Sequence, residues 1–133
     1  MITNLTGWLE VNTIEESEEN LWFKVIDLDI VVEQNYKFYA RLFGVRDSDK
    51  LSPIANSRGL PPDSPEYLTK ELEHESIVRV TWATFNEIDQ PLNQLCEVEP
   101  LTGWLFLLKS GRLLVEKYGT KNVRLVVGFD NYG

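Results

Sequence analysis

Residues 104–129 read WLFLLKSGRLLVEKYGTKNVRLVVGF and decide the fold class. Trp104, Leu107, Leu108, Leu114, Val115 and Tyr118 recur at the spacing of one wide apolar stripe, which predicts a helix over Trp104 to Tyr118. Gly111 in its middle costs about 1 kcal/mol relative to Ala, and its presence there marks a close helix contact. Gly119 stands where a C′ glycine stops the helix. Val123, Leu125 and Val127 then alternate with Arg124 and Val126, so both faces carry apolar side chains. That pattern predicts a central strand over Asn122 to Phe129.

Outward from this unit, Leu5 to Ile14 reads as a strand, with Leu9 and Val11 alternating with Glu10 and Asn12. Glu15 to Asn20 forms an acidic turn, and Leu21 to Asp27 reads as a second strand, apolar on both faces and therefore central. The two form a hairpin. Ile30 to Val32 is a short apolar bridge. Asn35 is placed to cap a helix over Tyr36 to Phe43, closed by Gly44. Arg46 to Asp63 is a long irregular segment. Asp63 or Ser64 starts a further helix, with Pro65 in its first turn and Glu66 completing a capping box, reaching about Glu73. Ile77 to Val80 is extended. Thr81 caps a short helix carrying Trp82, Phe85 and Ile88, and Gln90 to Thr102 reads as loop, broken by Pro91 and Pro100. This order is no regular βαβ alternation. It predicts a single α+β domain over residues 1–133, a mixed or mostly antiparallel sheet with helices on one face.

The chain has 133 residues and a net charge of −8, from 13 Lys and Arg against 21 Asp and Glu. A phosphate backbone repels such a chain, and so does an anionic membrane. Direct nucleic-acid and membrane binding are not expected. The favoured partner is a basic protein surface, such as a nucleic-acid-binding protein or a nuclease, although net charge also simply keeps proteins soluble. The lone Cys96 forms no internal disulfide and fits a reducing compartment, and residues 1–11 show no secretory pattern. Cytoplasm is the expected location.

The chemical inventory is thin. His74 is the only histidine, flanked by Glu73 and Glu75. It is either a general base or a solvated side chain at a helix end. Cys96 has Glu97 and Glu99 as neighbours, which opposes an activated thiolate. No phosphate-cradling glycine loop, nucleophile elbow or metal-ligand spacing is present, so no cofactor, no metal and no catalytic residue is assigned. Asp27, Asp29 and Asp130 are the only carboxylates that suggest a hard-cation site, without the spacing of a calcium loop. Arg58, in SRGLPPD, pairs with Asp63 to pin its loop or else takes a ligand's carboxylate or phosphate. The four Trp are read mainly as core, with at most one left for a binding surface.

The stretches YARLFGVRD, SRGLPPD, HESIVRVTWATFNEID and KYGTKNVRLVVGFDN resemble a family of small bacterial and phage proteins of uncharacterised activity. In that family LFGVR, RGLPxD and VRLVxxFDN patches occur in this order. Asp47 here replaces the usual Asn, and Gly128 stands where an aromatic is common. The resemblance implies a phage or mobile-element setting and no mechanism. The function expected is therefore a non-enzymatic protein-binding accessory or inhibitor factor. Its partner surface is assigned to Glu15, Glu16, Glu18 and Glu19 in the acidic turn, with Asp47 and Asp49. The alternative is a small-ligand binder or enzyme in which Arg58, His74 and Asp130 converge.

Overall fold

The computed structural model describes residues 2–13, 22–45 and 53–132. Strands β1 (Ile2–Asn12), β2 (Trp22–Asp27), β3 (Ile77–Thr84) and β4 (Val123–Tyr132) form one sheet in the order β2-β1-β4-β3. Every neighbouring pair is antiparallel. The helices are α1 (Leu28–Val31), α2 (Tyr36–Phe43), α3 (Glu66–Thr69), α4 (Phe85–Val98) and α5 (Thr102–Tyr118). The fold class is α+β.

The pleat of β1 sorts its side chains. Leu5, Leu9 and Val11 join Leu125, Val127 and Phe129 of β4 under Phe38, Leu42, Ile88, Leu92, Trp104 and Leu107. This helix-covered face holds the main core. The opposite face carries a smaller cluster of Trp8, Leu68, Leu72 and Val126, roofed by α3 and the 3-10 turn Lys70–Leu72.

Strand β4 lies between β1 and β3, as its two apolar faces predict. Strand β2 does not: it is an edge. Its apolar alternation misleads because only Trp22 is buried, while Phe23 and Val25 remain about half exposed. Lys24 marks the edge and pairs with Glu71, a charge that discourages further strand pairing.

Strand β2 covers only Trp8 to Asn12 of β1. Beyond it, the outward N–H groups of β1 are met by side chains of the next segment. Leu5 donates to Gln34 Oε1 at 2.8 Å, and Gly7 to Asp29 Oδ1 at 2.9 Å. Gly7 has φ 150°, and a Cβ there would overlap the Val126 carbonyl oxygen, so only glycine fits.

Helix α2 is bounded as its sequence predicts. Asn35 accepts from the N–H groups of Lys37 and Phe38, and Gly44 adopts φ 75°. Around α4 the boundaries move. Thr81 is buried inside β3, and Thr84 caps the helix in a capping box with Glu87. The helix then runs through Pro91 to Val98. Proline removes one backbone bond, but the buried row Phe85, Ile88, Leu92 and Cys96 holds the helix on the sheet across the gap. The helix expected from Ser64 to Glu73 is only α3 and the 3-10 turn, and its N-cap is Pro65 with no side-chain cap bond. In α5, Gly111 abuts the Phe85 ring so closely that a methyl would overlap it. The first turn of α5 borrows its cap from afar: Gly103 N–H donates to the Glu33 carboxylate at 3.0 Å, and the Trp104 indole to the Glu33 carbonyl at 2.8 Å.

Candidate functional site

The second sheet face holds the charged residues that the strands bury. Glu10 and Arg124 are direct cross-strand partners, 0% and 4% exposed. Arg124 donates to Glu10 Oε2 from Nε at 2.7 Å, and its Nη2 lies 2.6 Å from the same oxygen. Its Nη1 reaches Asp63 Oδ1 at 2.7 Å, and Nη2 also donates to Ser64 Oγ at 3.3 Å. The Trp8 indole donates to Glu10 Oε1 at 2.6 Å and the Trp22 indole to Asp63 Oδ2 at 2.9 Å. The guanidinium lies 3.5 Å over the Trp22 ring. Burial alone would raise the Asp63 pKa, but the bonds from Arg124 and Trp22 outweigh it and hold that carboxyl below the usual range. A cleft of about 380 Å³ opens beside this network, lined by Trp22, Asp63, Trp82, Lys121 and Arg124 among others. The Arg124 donors are largely committed inside the chain. Chemically the network is a clamp that fastens the 61–64 loop to the sheet.

A different character prevails at the far end of the same face. Asn4 of β1, Asp130 of β4 and Ile77 of β3 stand in one cross-strand row. They line a pocket of about 200 Å³ with Leu5, Thr6, Asp29 and Gln34. Among the described residues its polar groups are carboxylates, amides and one hydroxyl, with no cation. Asp29 accepts from Thr6 Oγ1 and from Gly7 N–H, both at 2.9 Å. Asp130 Oδ1 is buried with no hydrogen-bond partner, alone among the described side chains. A buried acceptor left unmatched costs about 1–3 kcal/mol, so this oxygen favours an incoming donor. The chain entering β3 reaches the pocket at Ile77, which lines it and whose N–H closes a turn onto the His74 carbonyl at 2.9 Å. Glu73 and Glu75, in the turn that leads into Ile77, are exposed.

Of the residues singled out in the sequence, Asp29, His74 and Asp130 come to this same end, Asp29 and Asp130 in the pocket itself, while Asp27 caps α1. His74 is exposed, and its Nδ1 lies 2.7 Å from Ser76 Oγ. Arg58 does not join them. Its guanidinium donates to the carbonyls of Ile54 and Trp82 and grips both Glu87 oxygens at 2.9 and 3.0 Å. Trp82 is five positions along β3 from Ile77, so Arg58 sits about 15 Å from the Asp130 row at the strand rise. The loop is pinned by an internal pair, but through Glu87, while Asp63 serves Arg124. Glu15, Glu16, Glu18, Glu19, Asp47 and Asp49 lie outside the described residues. Cys96 is buried, and burial pushes its thiol pKa up, away from a reactive thiolate. Trp8, Trp22 and Trp104 are buried, and Trp82 is the partly exposed one.

The clamp itself was not foreseen from sequence. The available signal was a lone Glu10 in one apolar strand and a lone Arg124 in another. Among the described residues, no three His, Cys, Asp or Glu side chains are grouped to hold a metal ion, and no helix is long and apolar enough to cross a membrane. In comparison with known proteins, no family model, curated protein or solved structure matches the chain.

Proposed function

We propose that the chain is a non-enzymatic binding protein that holds a basic protein surface against the acidic end of its sheet. The observation that carries this reading is the buried Asp130 oxygen without a donor, in a pocket that already contains Asp29. A partner's lysine ammonium or arginine guanidinium supplies the missing donors and an opposite charge. Glu73 and Glu75 on the approach, and the wider net charge of −8, steer such a partner toward it. The chain's own Arg58, Arg112 and Arg124 are engaged with Glu87, Asp89, and Glu10 with Asp63. They are therefore poorly placed to compete for an external carboxylate. In a phage or mobile-element setting, the role is that of an accessory or inhibitor factor acting on a nucleic-acid-binding protein or nuclease of the host.

The test uses the tagged protein to capture partners from host lysate, beside an unrelated control of equal charge. Three variants follow: Asp130→Asn, the double Glu73→Lys/Glu75→Lys, and the double Glu97→Lys/Glu116→Lys. The last makes the same charge change at exposed helix positions. Loss of a specific partner in the first two and retention in the third support the proposal. Equal loss in both double variants would reduce the interaction to unspecific charge, and no loss in either would refute it.

A further inference from the structure

The pocket at the acidic end of the sheet has a rim and a floor. Asp29 and Gln34 stand exposed at its rim, while Asn4, Ile77 and Asp130 are partly buried in the cross-strand row. Its volume of about 200 Å³ is smaller than the roughly 300–1,000 Å³ of small-ligand sites, so it suits the tip of one side chain. Its acceptors are unevenly supplied. Gln34 Oε1 already accepts from the Leu5 N–H at 2.8 Å and from the Tyr39 hydroxyl. Each Asp29 oxygen holds one donor, Oδ1 the Gly7 N–H and Oδ2 the Thr6 hydroxyl, and keeps capacity for another. Asp130 Oδ1 is buried and holds none.

We infer, building on the function proposed above, that this pocket selects a lysine ammonium on the partner over an arginine guanidinium. A guanidinium is a planar fork, and its strong pairing takes both oxygens of one carboxylate together. Both Asp29 oxygens are already engaged by the chain itself. Asp130 stands in mid-row, with Asn4 on one flank and Ile77 on the other, and its unmatched oxygen is the buried one. A single buried oxygen is met by a point donor, not by a fork. An ammonium is a compact charge with three donors that turn toward acceptors in different directions. One satisfies Asp130 Oδ1, and the others reach Asp29 and the Asn4 amide oxygen, so that β4, α1 and β1 each supply an acceptor. Ile77 gives the methylene stem of lysine an apolar wall.

The probes are three singly charged peptides: acetyl-Gly-Lys-Gly-amide, its arginine counterpart and its trimethyllysine counterpart. Each is titrated into the isotope-labelled full chain at fixed low ionic strength, with the Asn4 side-chain amide, the Gly7 N–H and the Ile77 methyl resonances followed by NMR. Saturable shifts with the lysine peptide are expected. The arginine peptide should bind at least fivefold more weakly. The trimethyllysine peptide, which keeps the charge but has no N–H donor on it, should bind at least tenfold more weakly. Asp130→Asn should weaken the lysine peptide at least fivefold, and the comparison of peptides on the unaltered chain decides the matter if that variant does not fold. Equal or tighter binding of arginine would overturn the selection and leave the reading of a basic partner standing. Equal binding of trimethyllysine would show that charge alone attracts the peptide, and would overturn the inference. No saturable shift with any peptide would overturn it as well, while partner capture by Asp130→Asn judges the wider reading separately.

Discussion

Replacing Arg124 with Met tests whether the buried clamp is structural. The substitution keeps most of the apolar stem and removes the guanidinium. Glu10, fully buried, would then keep only the Trp8 indole as a charge-compensating donor. Removing one partner of a buried ion pair costs about 3–5 kcal/mol, because the other charge stays desolvated. Stacking on Trp22 is lost as well, worth about 0.5–2 kcal/mol. Against a total stability of about 5–15 kcal/mol, this is a large fraction. With a urea slope of about 2 kcal/mol/M, the middle of the range for small proteins, the unfolding midpoint should fall by roughly 2–3.5 M. The double variant Glu10→Leu/Arg124→Met removes both charges and should recover at least about 2 kcal/mol of the single loss. Urea titration followed by tryptophan fluorescence reads both. A single-variant loss below about 1 kcal/mol, or costs that simply add in the double variant, would refute the reasoning.

Other perturbations probe the packing and the titrating groups. Gly111→Ala gains about 1 kcal/mol of helix propensity but drives a methyl into the Phe85 ring, and overpacking should leave a net loss of about 1–2 kcal/mol. Adding Phe85→Leu should relieve part of it; a stabilised Gly111→Ala would show the contact to be slack. The Glu87 carboxyl is held below its ordinary pKa by Arg58, against the opposing effect of burial, with further help from Thr84. A carboxyl with a lowered folded pKa stabilises the fold above its unfolded value of about 4.3, and that contribution is lost as pH falls through the folded pKa. Glu87→Gln should therefore flatten the acid limb of stability below about pH 4.3, with a cost at pH 7 of no more than about 1 kcal/mol because the pair is partly exposed. Burial pushes the Tyr39 phenol up to about 12. Its folded pKa exceeds the unfolded one, so its contribution is complete below about pH 10 and lost as pH rises toward the folded value. Phenolate absorbance during an alkaline titration should show one tyrosine ionising late, and Tyr39→Phe should remove that phase.

Local signals were legible where one residue controls the geometry. Asn35 and Gly44 bound α2 because a side-chain acceptor and a left-handed glycine act within a turn or so. Gly111 betrayed its contact because nothing but close approach explains glycine in a long helix. The strand β4 was legible because both its faces are buried. What failed was the part decided by tertiary packing. Pro91 looked like a breaker, but its lost bond is minor beside four buried side chains on one face of α4. Thr81 and Thr84 are both plausible caps, and only the β3–β4 register chooses between them. Strand β2 read as central because periodicity cannot distinguish an apolar residue covered by a neighbour from one left half exposed. At the acidic end, Asp29 and Asp130 stand out as residues, but their neighbours Asn4 and Gln34 come from segments that no local spacing links to Asp130.

The strand order also sets when the molecule can form. The Glu10–Arg124 pair joins residues 114 positions apart, and the Glu33–Gly103 cap joins residues 70 apart. Both middle strands of the sheet, and the first turn of its longest helix, thus wait on closure of very large loops. Such high contact order slows folding relative to helical bundles of similar size, into the millisecond-to-second range. During synthesis β1 emerges early and has β2 as its only strand partner until β4 follows. Over that interval its apolar side chains lack their eventual cover. For Leu5 and Gly7, beyond the reach of β2, the bonds they donate to Gln34 and Asp29 are then the earliest native protection their N–H groups can acquire.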